Sequence, residues 1–112
     1  MTKPSAAENS PALVCDLTAI EAEQRDHHII ATKRLFNHVQ ATHELENGYA
    51  FRLPNDTDTI RHTAEFIIQE RKCCSFFTFA LELEASGGPL WLRITGQEGV
   101  KEVIRAEFGE LF

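Results

Sequence analysis

The sequence predicts an α+β fold: a ferredoxin-like βαββαβ antiparallel sheet extended by a further strand and a C-terminal helix. Three observations carry this. Segments with helical spacing alternate with strand-like ones, Phe76 to Glu84 (FFTFALELE) alternates strictly between apolar and polar, and Asn47-Gly48 stands between two short runs that can pair as a hairpin.

The elements follow in order. Met1 to Pro11 is small, polar and proline-punctuated and reads as a flexible tail, so the single domain is expected over 12–112. Ala12 to Leu17 is a short strand with Leu13, Cys15 and Leu17 on one face. Thr18 and Glu21 have the spacing of a capping box, and a helix to about Val39 should bury Ala31, Thr32, Leu35, Phe36 and Val39. His28 falls near the centre of that stripe, Ile29 lies at its margin, and Ile30 points away.

Ala41 to Leu53 forms the hairpin. A three-residue loop, with Gly48 in a left-handed bulge, pairs Leu45 with Tyr49, His43 with Phe51 and Ala41 with Leu53, and so keeps glutamates off the apolar face. Asp56 or Asp58 then caps a helix reaching Cys73 or Cys74, with Ile60, Ala64, Ile67 and Ile68 inward. The strand from Phe76 turns Phe77, Phe79, Leu81 and Leu83 to one side; after the Ala85 to Pro89 turn, Leu90 to Thr95 turns Leu90, Leu92 and Ile94 inward. A last helix from about Gln97 to Glu110 spaces Val100, Val103, Ile104, Phe108 and Leu111 for burial. Phe76, Ala80 and Trp91 are left on the outer face of this second hairpin, to be covered either by the final helix or by a second copy in a homodimer.

Composition narrows the function. The 112 residues are 43% hydrophobic and 25% charged, the balance of an ordinary globular domain. Seventeen acidic residues against eleven basic ones give a net charge of −6, without the basic cluster that contact with a nucleic-acid backbone requires. No apolar run is long enough to cross a bilayer and the N-terminus has no signal-like segment, so a cytoplasmic protein is expected, with no membrane partner. Three cysteines, two of them adjacent, do not make a secreted disulfide framework and fit free thiols in a reducing compartment.

The one unusual constellation is Glu70-Arg71-Lys72-Cys73-Cys74. On a helix that persists to residue 74, positions i, i+3 and i+4 bring the Glu70 carboxylate and both sulfurs together. Helical phase puts Cys74 beside Ile60 and Ile67, and turns Cys73 toward His62 and solvent. Neighbouring Cα atoms are about 3.8 Å apart, too close for an ordinary disulfide, which leaves a reduced vicinal pair. Two thiols and a carboxylate suit a thiophilic ion such as Zn(II), Hg(II) or As(III), with Cys15 able to add a third sulfur. Purely structural cysteines and redox or nucleophilic work are the other readings of the pair.

Catalysis finds less support. The charges of Arg71 and Lys72 would lower a thiol pKa, whereas the helix C-terminus opposes them, and His62 lies roughly three turns before Cys73. His27 and His28 diverge by 100° on their helix, and His38 stands roughly 16 Å from His27, so these three cannot share an ion. His43, placed on the Phe51 face, is the histidine best placed for burial or for ligation beside the thiols. Gly96-Gln97-Glu98-Gly99 has neither a P-loop nor a dinucleotide fingerprint and reads as a strand-to-helix turn.

Three stretches also carry a resemblance: Val14-Cys-Asp-Leu-Thr18, Glu70-Arg-Lys-Cys-Cys-Ser-Phe-Phe-Thr-Phe79, and Leu90-Trp-Leu-Arg-Ile-Thr-Gly-Gln-Glu-Gly-Val-Lys-Glu102. They resemble a family of small, largely uncharacterised bacterial proteins with a Glu-x-x-Cys-Cys-x-Phe signature, some associated with MerR-type metal-responsive regulators. The resemblance spans most of residues 12 to 108 and implies metal or metalloid binding at Cys73 and Cys74. A metal-binding or sensing accessory protein using Glu70, Cys73 and Cys74 is therefore expected, and a non-enzymatic homodimeric interaction module is the alternative.

Overall fold

In the computed structural model, which describes residues 13–111, a four-stranded antiparallel sheet carries three helices. The elements are α1 (Ala22–Phe36), β1 (Ala41–Leu45), β2 (Gly48–Leu53), α2 (Thr57–Cys73), β3 (Thr78–Leu83), β4 (Leu90–Thr95) and α3 (Val100–Phe108). Short 3-10 turns at Leu17–Ala19 and Gly109–Leu111 flank them. The expected N-terminal tail lies outside the described residues.

The α+β class and the C-terminal helix are as the sequence predicts, but the sheet is filled differently. In a βαββαβ sheet the first strand occupies the slot between the third and the fourth. Here the order is β1-β2-β4-β3, so β4 fills that slot and pairs on both sides. The segment predicted as a first strand is therefore not a strand from Leu13 onward. Leu13 to Asp16 runs without a ladder, and its backbone meets the end of α2 where Asp16 N–H donates to the Cys73 carbonyl at 2.7 Å. The capping box is also absent: Asp16 caps the 3-10 turn by accepting from the Thr18 amide and hydroxyl, and α1 starts at Ala22 with no side-chain cap from Glu21.

The hairpin register differs by one residue from the expected one. Glu46 and Asn47 make the turn, and Leu45 faces Gly48, Glu44 faces Tyr49, His43 faces Ala50 and Thr42 faces Phe51. Gly48 does not take a left-handed conformation; it lies flat against β4, where a Cβ would come within 2.0 Å of the Ile94 carbonyl oxygen. Glu44 thereby shares the helix-covered face with Tyr49, and Lys101 of α3 meets its carboxylate. An edge strand tolerates this pairing because a carboxylate at the rim of the sheet stays hydrated.

The core lies between the sheet and the helices. Phe51, Leu53, Leu90, Leu92 and Ile94 are fully or almost fully buried, as the alternation of β4 predicts. Phe36 joins the layers, stacking on Phe108 at 4.8 Å and meeting Phe51 edge-on at 5.1 Å. Val100, Ile104 and Phe108 bring α3 onto this same face, packed on β2 and β4. The final helix thus leaves the other sheet face open. There His43 lies 4.9 Å from Trp91, whose indole N–H donates to Glu84. Phe76 precedes β3 and packs edge-on against Phe77, outside the strand register expected for it.

Candidate functional site

Helix α2 builds the site at its C-terminal end. Asp56 caps its start by accepting from the Thr59 amide and hydroxyl, which holds the Asp56 carboxyl below its ordinary range. The buried stripe is Thr59, Thr63, Phe66, Glu70 and Cys73, not the isoleucine stripe read from the sequence; Ile60 and Ile67 are half-buried and Ile68 is 53% exposed. Burial of Phe66 among Phe36, Phe79 and Phe108 sets this rotation. It also draws Glu70 and Cys73 inward together.

Glu70 is the hub. It is 3% exposed, and its Oε1 lies 2.7 Å from His28 Nε2 on α1. The same Oε1 lies 3.7 Å from Cys73 Sγ, and Oε2 lies 3.1 Å from Cys74 Sγ. The convergence expected of Glu70, Cys73 and Cys74 is thus present, although α2 ends at Cys73 and Cys74 is its non-helical C-cap.

The state of the sulfurs is not the expected one. Cys74 is joined to Cys15 in a disulfide, with Cα atoms 4.5 Å apart, so the reduced vicinal pair is corrected to one disulfide and one free thiol. The local objection to a Cys73–Cys74 bridge holds, but it says nothing about a partner 59 residues away. Cys73 is the free thiol, and it is buried rather than turned to solvent. Burial, together with the neighbouring Glu70 charge, pushes its pKa up to about 12. Cys73 Sγ lies 3.7 Å from Cys74 Sγ.

His28 was visible in the sequence only as a histidine at the centre of an apolar stripe. Its partner is 42 residues away, a separation that no local pattern announces. The ring stacks on Phe66 at 5.8 Å and lines a groove of about 600 Å³ between α1 and α2, together with His27, Arg34, His62 and Gln69. His43 is corrected in the opposite sense: it is exposed on the outer sheet face, away from the thiols.

Two donor sets meet at Glu70. His28, Glu70 and Cys73 place a nitrogen, an oxygen and a sulfur within 4.8 Å of one another, all on buried residues. Cys15, Glu70, Cys74 and Glu107 form the second set within the same span. Burial and the charge of Glu70 raise the Glu107 carboxyl above its ordinary value. Tetrahedral zinc with bonds of about 2.0 to 2.3 Å separates its ligand atoms by about 3.3 to 3.8 Å, so small side-chain adjustments bring the first set to bonding distance, whereas the second first needs the Cys15–Cys74 bond reduced. Compared with known proteins, the chain matches no family model, no curated protein and no solved structure.

Proposed function

We propose that this protein is a small thiol-based metal or metalloid binding protein, acting as a sensing or accessory domain and holding its ion at Glu70, Cys73 and Cys74. The observation that carries the reading is the buried Glu70 carboxylate with both vicinal sulfurs within 3.7 Å. A carboxylate taken from water needs compensating partners, and a cation shared with sulfur ligands supplies the strongest of them. Three sulfurs around one acid favour a thiophilic ion such as Zn(II), Hg(II) or As(III). The resemblance to the Cys-Cys-x-Phe proteins points the same way.

The test uses the full chain reduced by a dithiol, titrated with zinc and with arsenite, with stoichiometry read by native mass spectrometry. One equivalent is expected, together with a gain of about 2.7 kcal/mol in stability at 100 times the dissociation constant. If the Cys73→Ser, Cys74→Ser double variant takes up ion as the parent does, the reading is wrong.

A second reading, a homodimeric interaction module with structural cysteines, has one observation in its favour: no helix among the described residues packs on the outer sheet face that carries Ala80 and Trp91. Light scattering separates the two, because a Trp91→Glu variant should halve the mass of such a dimer and leave ion uptake intact.

A further inference from the structure

The two donor sets at Glu70 differ in hardness and in their dependence on the disulfide. His28, Glu70 and Cys73 are complete while Cys15 and Cys74 are bonded to one another, because none of the three takes part in that bond. The second set is not: a sulfur in a disulfide is no thiolate, so Cys15 and Cys74 become ligands only after two electrons and two protons, delivered by an external dithiol, convert the bridge to two thiols. We propose that His28, Glu70 and Cys73 form a distinct ion site that operates in the oxidised protein, and that reduction of Cys15–Cys74 replaces it with a sulfur-rich site around the same carboxylate. This rests on the metal-binding reading above and adds to it the oxidised-state ligand His28 and the class of ion taken in each state.

Softness assigns the ions. One imidazole nitrogen, one carboxylate oxygen and one thiolate suit a borderline divalent cation such as zinc, with a fourth position open to water or an exogenous ligand. The sulfurs of Cys15 and Cys74, together with Glu70 and Glu107, shift the preference to softer ions such as Hg(II) or As(III). The geometry supports the handover. Glu70 presents Oε1 to His28 and Cys73 and Oε2 to Cys74, so one buried side chain serves both sets without leaving its place. His28, though buried, also lines the groove between α1 and α2, so the set lies at the floor of that groove.

Cobalt(II) serves as the spectroscopic probe. The oxidised full chain should bind one equivalent with a thiolate-to-cobalt charge-transfer band in the near ultraviolet. That band should be lost in Cys73→Ser and in either His28→Ala or His28→Asn, whichever keeps the parent's circular dichroism, and retained in the Cys15→Ser, Cys74→Ser double variant. After reduction, arsenite should bind the His28 variant as tightly as the parent and the double variant at least tenfold more weakly. No cobalt uptake by the oxidised protein, or a band that survives loss of His28, overturns the oxidised-state site while leaving the metal-binding reading intact. Failure of the reduced parent to bind arsenite or zinc overturns that reading itself.

Discussion

The Cys73 thiol is hidden and held protonated, and both facts govern its chemistry. With its pKa pushed up to about 12 by burial and by Glu70, almost no thiolate exists at neutral pH. The metal-free oxidised protein should therefore consume iodoacetamide no faster than it opens, and the rate should rise in step with added urea. Fast alkylation of Cys73 in the native state would show the thiol to be accessible. Glu107 makes a second test with a definite sign. Its carboxyl is raised by burial and by Glu70, so the folded state favours the protonated form. The stability that this group contributes is present at acid pH and is lost as pH rises past the ordinary glutamate range. Glu107→Gln should thus resist urea better than the parent at pH 7 and no better at pH 3; an equal difference at both pH values contradicts the assignment. At this scale the sequence revealed Glu70 with its two sulfurs, since i, i+3 and i+4 neighbours are local. It did not reveal His28 as a partner, and it offered Cys15 as a third sulfur but not as the disulfide partner of Cys74, because those contacts close over 42 and 59 residues.

Among the elements, β4 was the most legible and the first hairpin the least. Leu90, Leu92 and Ile94 alternate in a strand buried on its inner face, so one register fits them. The β1 edge has only Ala41 and Leu45 half-buried, with exposed residues between them, and its register is set instead by Gly48 lying flat against Ile94. Any side chain at that position collides with backbone, not with a yielding side chain. Gly48→Ala should accordingly cost about 1 to 3 kcal/mol, read as a lower urea midpoint, which is the range for forcing extra volume into packed structure. A neutral effect would mean that β2 and β4 part more easily than their ladder implies. Helix α2 was placed correctly along the chain but rotated wrongly about its axis. Counting isoleucines favoured Ile60, Ile67 and Ile68, whereas the bulk of Phe66 and the Glu70 pair with His28 took the inner face.

For the whole molecule, the disulfide is the long-range clip. It closes 59 residues of chain, from the segment before α1 to the end of α2. By the loop-entropy relation, a closure of 59 residues restricts the unfolded chain by about 4 kcal/mol. Reduction, or the Cys15→Ser, Cys74→Ser exchange, should lower the unfolding free energy by about that amount, measured by guanidinium denaturation with and without dithiothreitol. An unchanged midpoint would show that the bridge constrains nothing in the unfolded chain. The fold class was legible because helix and strand periods alternate along the sequence. The slot that each strand takes was not, since alternation specifies a face and not a neighbour.

The slot taken by β4 reaches into how the chain is made. Among the described residues, both β2 and β3 lean on the strand that is synthesised last, and β3 has no other neighbour. While the polypeptide emerges from the ribosome at about 5 to 20 residues per second, the sheet cannot close until Thr95 is out, so the β2 edge waits unpaired and open to other chains. A nascent chain arrested where Leu83 has left the exit tunnel and Leu90 has not should be cleaved by a nonspecific protease within β3, whereas one arrested far enough on to free Thr95 from the tunnel should resist. Equal cleavage of the two would mean that the hairpin and helices hold β3 without its partner.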